Sequence, residues 1–368
     1  MDGIVKVCFV SIRAYPLFDP KCRLNHGGAE VDLYNYAQEL VKDKKYIVSF
    51  MVADVGQDLI EQYNGIKLIK SFSLKKNIKK IFFGPILLHL ALKREDPDII
   101  ISEAAGFETG ILCLYSRIYR KKFIYRTAHI NDCNKMRIKS KWWGFSYAYA
   151  LHGSDLILTQ TTEQKRLIKE NHNKFAIVLK NAYNIQNVHE TKKEYILWVS
   201  RCVYWKRPEI FLKLAREFLK EKFIMIMPKT RTHRSLWNAI SAEGKKLDNL
   251  ELIEKVPFKE INEYFKRAKL YVNTSKYEGF PNTFIQAAMN KTPVLSLSVN
   301  PDSFITNHGC GLYSNNEYGN LVQNLQRLLE DHNFYTACSN KSFEYALKHH
   351  DLKKIIEELK EVILKLAD

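Results

Sequence analysis

The sequence predicts an α/β protein built from two doubly wound, Rossmann-like domains in tandem. Three observations carry this reading. Short β-rich apolar runs alternate with longer helical patterns along the chain. The alternation breaks once, at a polar aperiodic segment, and then restarts. The chain has 368 residues, more than the roughly 250–300 at which a single core stops growing.

VKVCFVSI (5–12) reads as the first strand and AEVDLYNYAQELVKD (29–43) as the first helix. Strand patterns follow at 46–54, 66–72, 98–103, 123–129 and 155–160, with helical patterns near 78–94, 105–119, 139–151 and 162–170. Strands that are continuously apolar imply a parallel sheet covered on both faces. AIVLKN (176–181) closes the first half, and NIQNVHETKKE (184–194) suits a linker. The pattern resumes with the strand YILWVS (195–200) and the helix PEIFLKLAREFLKE (208–221), which has Pro at its start. FIMIMP, LELIEKV, LYVNTS (270–275) and PVLSLS are further expected strands. The chain ends in an amphipathic helix near 351–366. The expected domains are 1–186 and 187–349, with 350–368 as the terminal helix.

Fifty-seven basic residues against 40 acidic ones give a net charge of +17, which favours an anionic partner: nucleotide phosphates, anionic lipid or nucleic acid. A solvated Lys-rich surface is the plain alternative. Seven scattered cysteines without a C-x-x-C pair fit reduced intracellular thiols, not a disulfide framework or a zinc site. MDGIVKVCFVSI reads as a strand and not as a cleaved signal. No run of about 18 apolar residues predicts a membrane span.

In doubly wound folds ligands bind beyond the carboxyl ends of the strands, and four places there carry polar residues. After the first strand, Gly27 and Gly28 precede a helix; they form either a turn or a close approach to an anion. His129 ends the strand FIYRTAH, as a structural His or as a contact to a substrate hydroxyl. Arg201 and Lys206 follow the first strand of the second half and suit a diphosphate, with Arg207 blurring the assignment; a solvated basic loop is the alternative. The fourth place is SKYEGFPNTFIQAAMN. It puts Glu278 on a loop and Asn282 in position to cap a helix on which Gln286 lies.

With these residues quoted, the chain resembles the GT-B glycosyltransferases, in particular the family 4 retaining enzymes of the glycosyltransferase group 1 type. The likeness rests on GGAE, His129, the Ser-Arg pair followed by Lys206, and above all SKYEGFPNTFIQAAMNKTPVLS. The resemblance implies two Rossmann-like domains facing across a cleft. The first would take the acceptor, and the second would bind a UDP- or GDP-sugar. It implies that Arg201 and Lys206 hold the diphosphate and that Glu278 sits by the donor sugar. Gly279, Phe280, Pro281, Asn282 and Thr283 would present backbone amides to sugar and phosphate. Gln286 takes the place of the acid that usually binds the ribose. His129 would contact the donor sugar, and Gly27 and Gly28 would bring amides to the diphosphate. The terminal helix would cross back onto the first domain. No metal or other cofactor is implied.

Three positions depart from the pattern. Gln286 replaces the second acid and loses a charge-assisted bond. Ser200 and Lys291 replace glycines. These departures leave open a weakly catalytic partner subunit as an alternative to an active enzyme. The expected main catalytic effect is electrostatic stabilisation of the leaving group, with Glu278 orienting the sugar and not attacking it. Asp96-Pro97-Asp98 reads as a strand entry and not a metal site.

The acceptor is expected to be lipid-linked or a surface glycan. Residues 73–95 begin with Lys75, Lys76, Lys79 and Lys80 and continue through Ile81, Phe82, Phe83 and Ile86. The segment reads either as a core helix or as a peripheral contact with an anionic membrane. Trp142, Trp143 and Phe145 either line an acceptor groove or pack. Interleaved basic-aromatic nucleic-acid motifs are missing, so a nucleic-acid partner ranks last. The expected location is cytoplasmic, with possible attachment to the cytoplasmic membrane face.

Overall fold

The computed structural model describes residues 3–22, 24–74, 78–103, 105–135, 138, 143–186 and 191–367, without the side chains of 78–82 and 231. Trp142, Lys75, Lys76 and part of the 184–194 segment lie outside the described residues, as do the side chains of Lys79, Lys80, Ile81 and Phe82. The chain divides into two compact units: Met1–Asn184 with Leu352–Asp368, and Ile185–Asp351.

The sheet of the first unit contains β1 (Val5–Val10), β2 (Tyr46–Val52), β3 (Ile60–Tyr63), β4 (Ile66–Lys70), β5 (Ile99–Glu103), β6 (Lys122–Arg126), β7 (Leu156–Thr159) and β8 (Ala176–Val178). The order is β3-β4-β2-β1-β5-β6-β7-β8. Neighbours run parallel, apart from the antiparallel pair β3–β4. Asn64-Gly65 joins that pair with φ of 48° and 84°, as a tight hairpin of right-handed twist requires. The all-parallel expectation overlooked this hairpin.

Helices α1 (Tyr15–Phe18), α2 (Gly28–Leu40), α3 (Ile78–Glu95), α4 (Phe107–Ile118), α5 (Gly144–Gly153) and α6 (Thr162–His172) connect these strands. Leu88 and Leu92 of α3, Leu112 of α4 and Leu151 of α5 share one core with Cys8, Val10 and Ile100, so the three helices cover the same sheet face.

The second unit has β9 (Tyr195–Val199), β10 (Phe223–Ile226), β11 (Leu250–Ile253), β12 (Ala268–Asn273), β13 (Val294–Ser296) and β14 (Gly311–Tyr313). They form a parallel sheet in the order β11-β10-β9-β12-β13-β14. Its helices are α7 (Pro208–Glu217), α8 (Arg234–Gly244), α9 (Ile261–Arg267), α10 (Asn282–Ala288), α11 (Tyr318–Glu330) and α12 (His332–His349). Helix α7 stops four residues before its expected end. The Asn249 side-chain amide donates to the carbonyls of Ala215, Phe218 and Glu221 at 2.9–3.2 Å and terminates the helix there. The last helix, α13 (Leu352–Ala367), returns to the first unit and packs on α2, with Lys360 Nζ 3.0 Å from Asp43 Oδ2.

In each sheet the winding reverses between two strands: β1 and β5 in the first unit, β9 and β12 in the second. Crevices open at such switch points. Among the described residues no helix is long and apolar enough to cross a membrane, and the cysteines are free thiols.

Candidate functional site

In the second unit the predicted residues come from the loops after the two strands that flank the switch point. Arg201 and Lys206 follow β9; Glu278 and its neighbours follow β12. Arg201 is exposed. Lys206 sits on a short 3-10 turn, Tyr204–Lys206, and its Nζ forms an ion pair with the Glu278 carboxylate. Both side chains are largely shielded, at 15% and 11% exposure.

The shape of this loop is fixed by polar bonds to the other strand. The Lys276 amide donates to the Trp205 carbonyl at 2.7 Å. Thr274 Oγ1 donates to the Lys206 carbonyl at 2.6 Å and accepts from Trp198 Nε1 at 2.9 Å. The Trp205 and Tyr277 rings stack at 6.4 Å.

Arg207 turns out to be a brace. Its backbone is left-handed, with φ of 49°, a conformation that costs a non-glycine residue about 1 kcal/mol. Its guanidinium donates to the carbonyls of Thr274 (2.6 Å) and Ser275 (3.0 Å), to Ser298 Oγ (2.5 Å) and to Asn316 Oδ1 (2.8 Å). Those bonds tie the β9 loop to the loops after β12, β13 and β14 and offset the strain.

The EGFPN run divides into an anchor and a rim. Phe280 and Pro281 are buried. Phe280 packs on His350 (4.6 Å), Phe304 (5.7 Å) and Phe284 (6.4 Å). The Phe280 ring is therefore core, and only backbone can serve a ligand there. Glu278, Gly279, Asn282 and Thr283 are half-buried on the rim. The expected Asn282 cap is corrected: Pro281 is the cap residue, with φ −65° and ψ 126°, and Asn282 is the first helical residue. Proline's fixed φ already suits that position. Gln286 is 7% exposed and lies one turn along α10 from Asn282, on the same face.

In the first unit, His129 follows β6 and caps the 3-10 turn Ile130–Cys133. Its Nδ1 accepts from the Asn131 amide at 3.0 Å, which places the proton of the neutral ring on Nε2. Asp132 Oδ2 accepts from the amides of Ala128 and His129 at 3.0 Å each and holds the turn. Gly27 caps α2, but its amide donates to Glu30 Oε2 at 2.6 Å. The carboxylate of this chain thus occupies the donor that sequence reasoning assigned to a diphosphate. Gly28 is the first residue of α2.

A buried charge cluster lies between these elements and escaped the sequence reading. Arg126, fully buried at the end of β6, donates to Glu103 Oε1 (2.6 Å), Asp32 Oδ2 (3.3 Å), Asn181 Oδ1 (2.6 Å) and the Leu179 carbonyl (3.1 Å). Burial raises the Glu103 carboxyl well above its ordinary range; Arg126 opposes that shift and Asp32 adds to it. A polar residue inside an apolar strand, the Arg of FIYR, was the available signal. Among the described residues no group of three His, Cys, Asp or Glu side chains has the geometry to hold a metal.

Residues 180–345, nearly the whole second unit, match the family described as Glycosyl transferases group 1. Sucrose-phosphate synthase from Thermosynechococcus elongatus superposes with a TM-score of 0.80 at 13% identity, over 98% of this chain and 99% of that one. HepE from Anabaena, solved with UDP and glucose, superposes with a TM-score of 0.75 at 13% identity and the same coverage. The fold is GT-B. At lower coverage, an uncharacterized glycosyltransferase of Methanocaldococcus jannaschii is 26% identical over 230 residues, 54% of this chain and 55% of that protein. The matched region thus spans about half of that curated relative's length.

Within the GT-B frame two of the three departures acquire a structural reading. Lys291 adopts the left-handed backbone that glycine would take freely, with φ of 54°. Ser200 does not, and it continues β9 through its amide to the Ile226 carbonyl at 3.2 Å.

Proposed function

We propose that this GT-B protein transfers a hexose from a nucleoside-diphosphate sugar to a glycan or lipid-linked acceptor, with retention of anomeric configuration, as a cytoplasmic enzyme. The observation that carries this reading is the shielded Lys206–Glu278 pair at the β9/β12 switch point, inside the group 1 match, with the exposed Arg201 on the same loop as Lys206. Arg201 and Lys206 bind the diphosphate. As the glycosidic bond breaks, negative charge grows on the departing nucleoside diphosphate, and fixed cations stabilise that charge most where water is excluded. Glu278 accepts hydrogen bonds from the donor sugar and pairs with Lys206 until the diphosphate takes the cation. The amides of Gly279 to Thr283 and the side chain of Gln286 meet the sugar, phosphate and ribose oxygens. The UDP and glucose bound to HepE make UDP-glucose the first donor to try.

A second reading rests on Gln286, an amide where the family pattern has an acid. It makes the chain a donor-binding partner without turnover of its own. Incubation with UDP- and GDP-hexoses and an acceptor panel separates the two. Release of nucleoside diphosphate with an α-linked product from an α-linked donor supports the enzyme. Donor binding with no release under any acceptor supports the partner reading, and an inverted linkage overturns retention.

A further inference from the structure

The helices α3, α4 and α5 present an apolar outer surface in addition to the face they bury. On α3, Phe83, Ile86, Leu87 and Leu90 are exposed, at the i, i+3, i+4, i+7 spacing of one stripe. Leu88, Ala91 and Leu92 of the same helix are buried on the opposite side. A helix apolar on both sides has a second apolar medium to meet. On α4, Leu114 and Ile118 are exposed, the latter at 58%. On α5, Phe145 at 67% and Tyr149 complete the surface.

These stripes are joined. His89 of α3 lies 3.2 Å through Nε2 from the Tyr119 hydroxyl at the end of α4. The Arg117 guanidinium of α4 lies over the Tyr149 ring of α5 at 5.2 Å. Ser146 of α5 donates to the Phe107 carbonyl of α4 at 2.7 Å. These contacts pack the three helices side by side, so the exposed apolar residues lie on neighbouring elements, an accumulation of the kind that marks an interaction site.

The charges on this patch indicate what covers it. Its exposed positions include Lys93, Arg94 and Arg117, and none of the exposed described positions on the three helices is acidic. A second copy related by a two-fold axis would bring the same cations face to face. An anionic bilayer supplies both halves of the complement: acyl chains for the apolar side chains and headgroup phosphates for the cations.

We propose that the outer face of α3, α4 and α5 docks on an anionic lipid surface, with the apolar side chains in the headgroup–acyl boundary and Lys93, Arg94 and Arg117 on lipid phosphates. The proposal does not rest on the transferase reading, because lipid binding is read with no sugar nucleotide present.

The test is flotation of the full chain with phosphatidylcholine vesicles, with and without phosphatidylglycerol. The wild type is expected to bind the phosphatidylglycerol vesicles and not the neutral ones, with binding reduced by salt. Two double variants, Ile86→Ser with Leu90→Ser and Leu114→Ser with Ile118→Ser, replace exposed residues, so circular dichroism should report an unchanged fold. Each should bind on the order of tenfold more weakly. No binding to anionic vesicles, or binding unchanged in both variants, overturns the proposal. So does a concentration-dependent dimer, seen by ultracentrifugation, that the same substitutions abolish.

Discussion

Lys206 and Glu278, 72 positions apart in the sequence, meet as a shielded ion pair where the loops after β9 and β12 converge. The pair makes the lysine's charge conditional. On the proposed reading, a diphosphate arriving at Lys206 would compete with the carboxylate, and a carboxylate released toward the sugar would leave the cation for the phosphate.

Glu278→Gln is therefore expected to separate binding from turnover. Removing the competing charge frees Lys206, so nucleoside diphosphate binding should hold or tighten. Sugar transfer should fall by about 10²-fold or more, because a charged acceptor with two oxygens becomes a neutral amide with one. Calorimetry on the product nucleotide and kcat on the donor check the two halves.

Arg207→Ala should destabilise the second unit by about 2 kcal/mol, since four oxygen partners lose their donor together. Arg207→Lys should recover little, because an ammonium cannot reproduce the planar fork. The midpoint and slope of urea unfolding measure both variants. A loss of nucleotide affinity in Arg207→Ala without loss of stability would show the guanidinium binding ligand directly.

Lys291→Gly should stabilise the protein by about 0.5–1 kcal/mol, as it relieves the left-handed backbone at φ 54°. Ser200→Gly should give no gain: its backbone is unstrained, and glycine only adds disorder to the unfolded chain. Thermal melts of the two variants side by side decide this.

Lys193 gives a pH signature. Its Nζ donates to the Asn290 carbonyl and Thr292 Oγ1 at 2.9 Å each, and burial, with Lys291 adding a smaller effect, lowers its pKa from 10.5 to about 8. Below about pH 8 both states hold the proton, and the folded state bears the full burial cost. Between about 8 and 10.5 only the unfolded state holds it, so stability rises with pH. Relative to Lys193→Met, the wild type should gain stability across that window; parallel melting curves from pH 7 to pH 11 would contradict the assignment.

Much of this fold was legible because continuous apolar runs and helical periods report local burial. The β12 strand and the YEGFPN loop after it could be placed from sequence because one apolar run ends where Gly and Pro begin. What stayed hidden was nonlocal. Nothing near Arg207 indicates that its partners are Thr274, Ser275, Ser298 and Asn316. Arg126 gave a faint signal by interrupting an apolar strand, but its partners Asp32, Glu103 and Asn181 come from three other elements. Asn282 was misread because Pro281 can also take the cap, and propensity favoured the asparagine. The β3–β4 hairpin was missed despite Asn64-Gly65, because β3 is exposed and polar and carries no apolar run.

The proposed function requires the β9 and β12 loops to bind the diphosphate of a sugar nucleotide. Calorimetric titration of UDP and GDP into the wild type, Arg201→Ala and Lys206→Ala measures that binding. One nucleotide should bind the wild type, and each alanine should weaken it by about tenfold or more, with circular dichroism unchanged. Binding unaffected by either substitution, or no binding of any nucleoside diphosphate or its sugar, would contradict the proposed function.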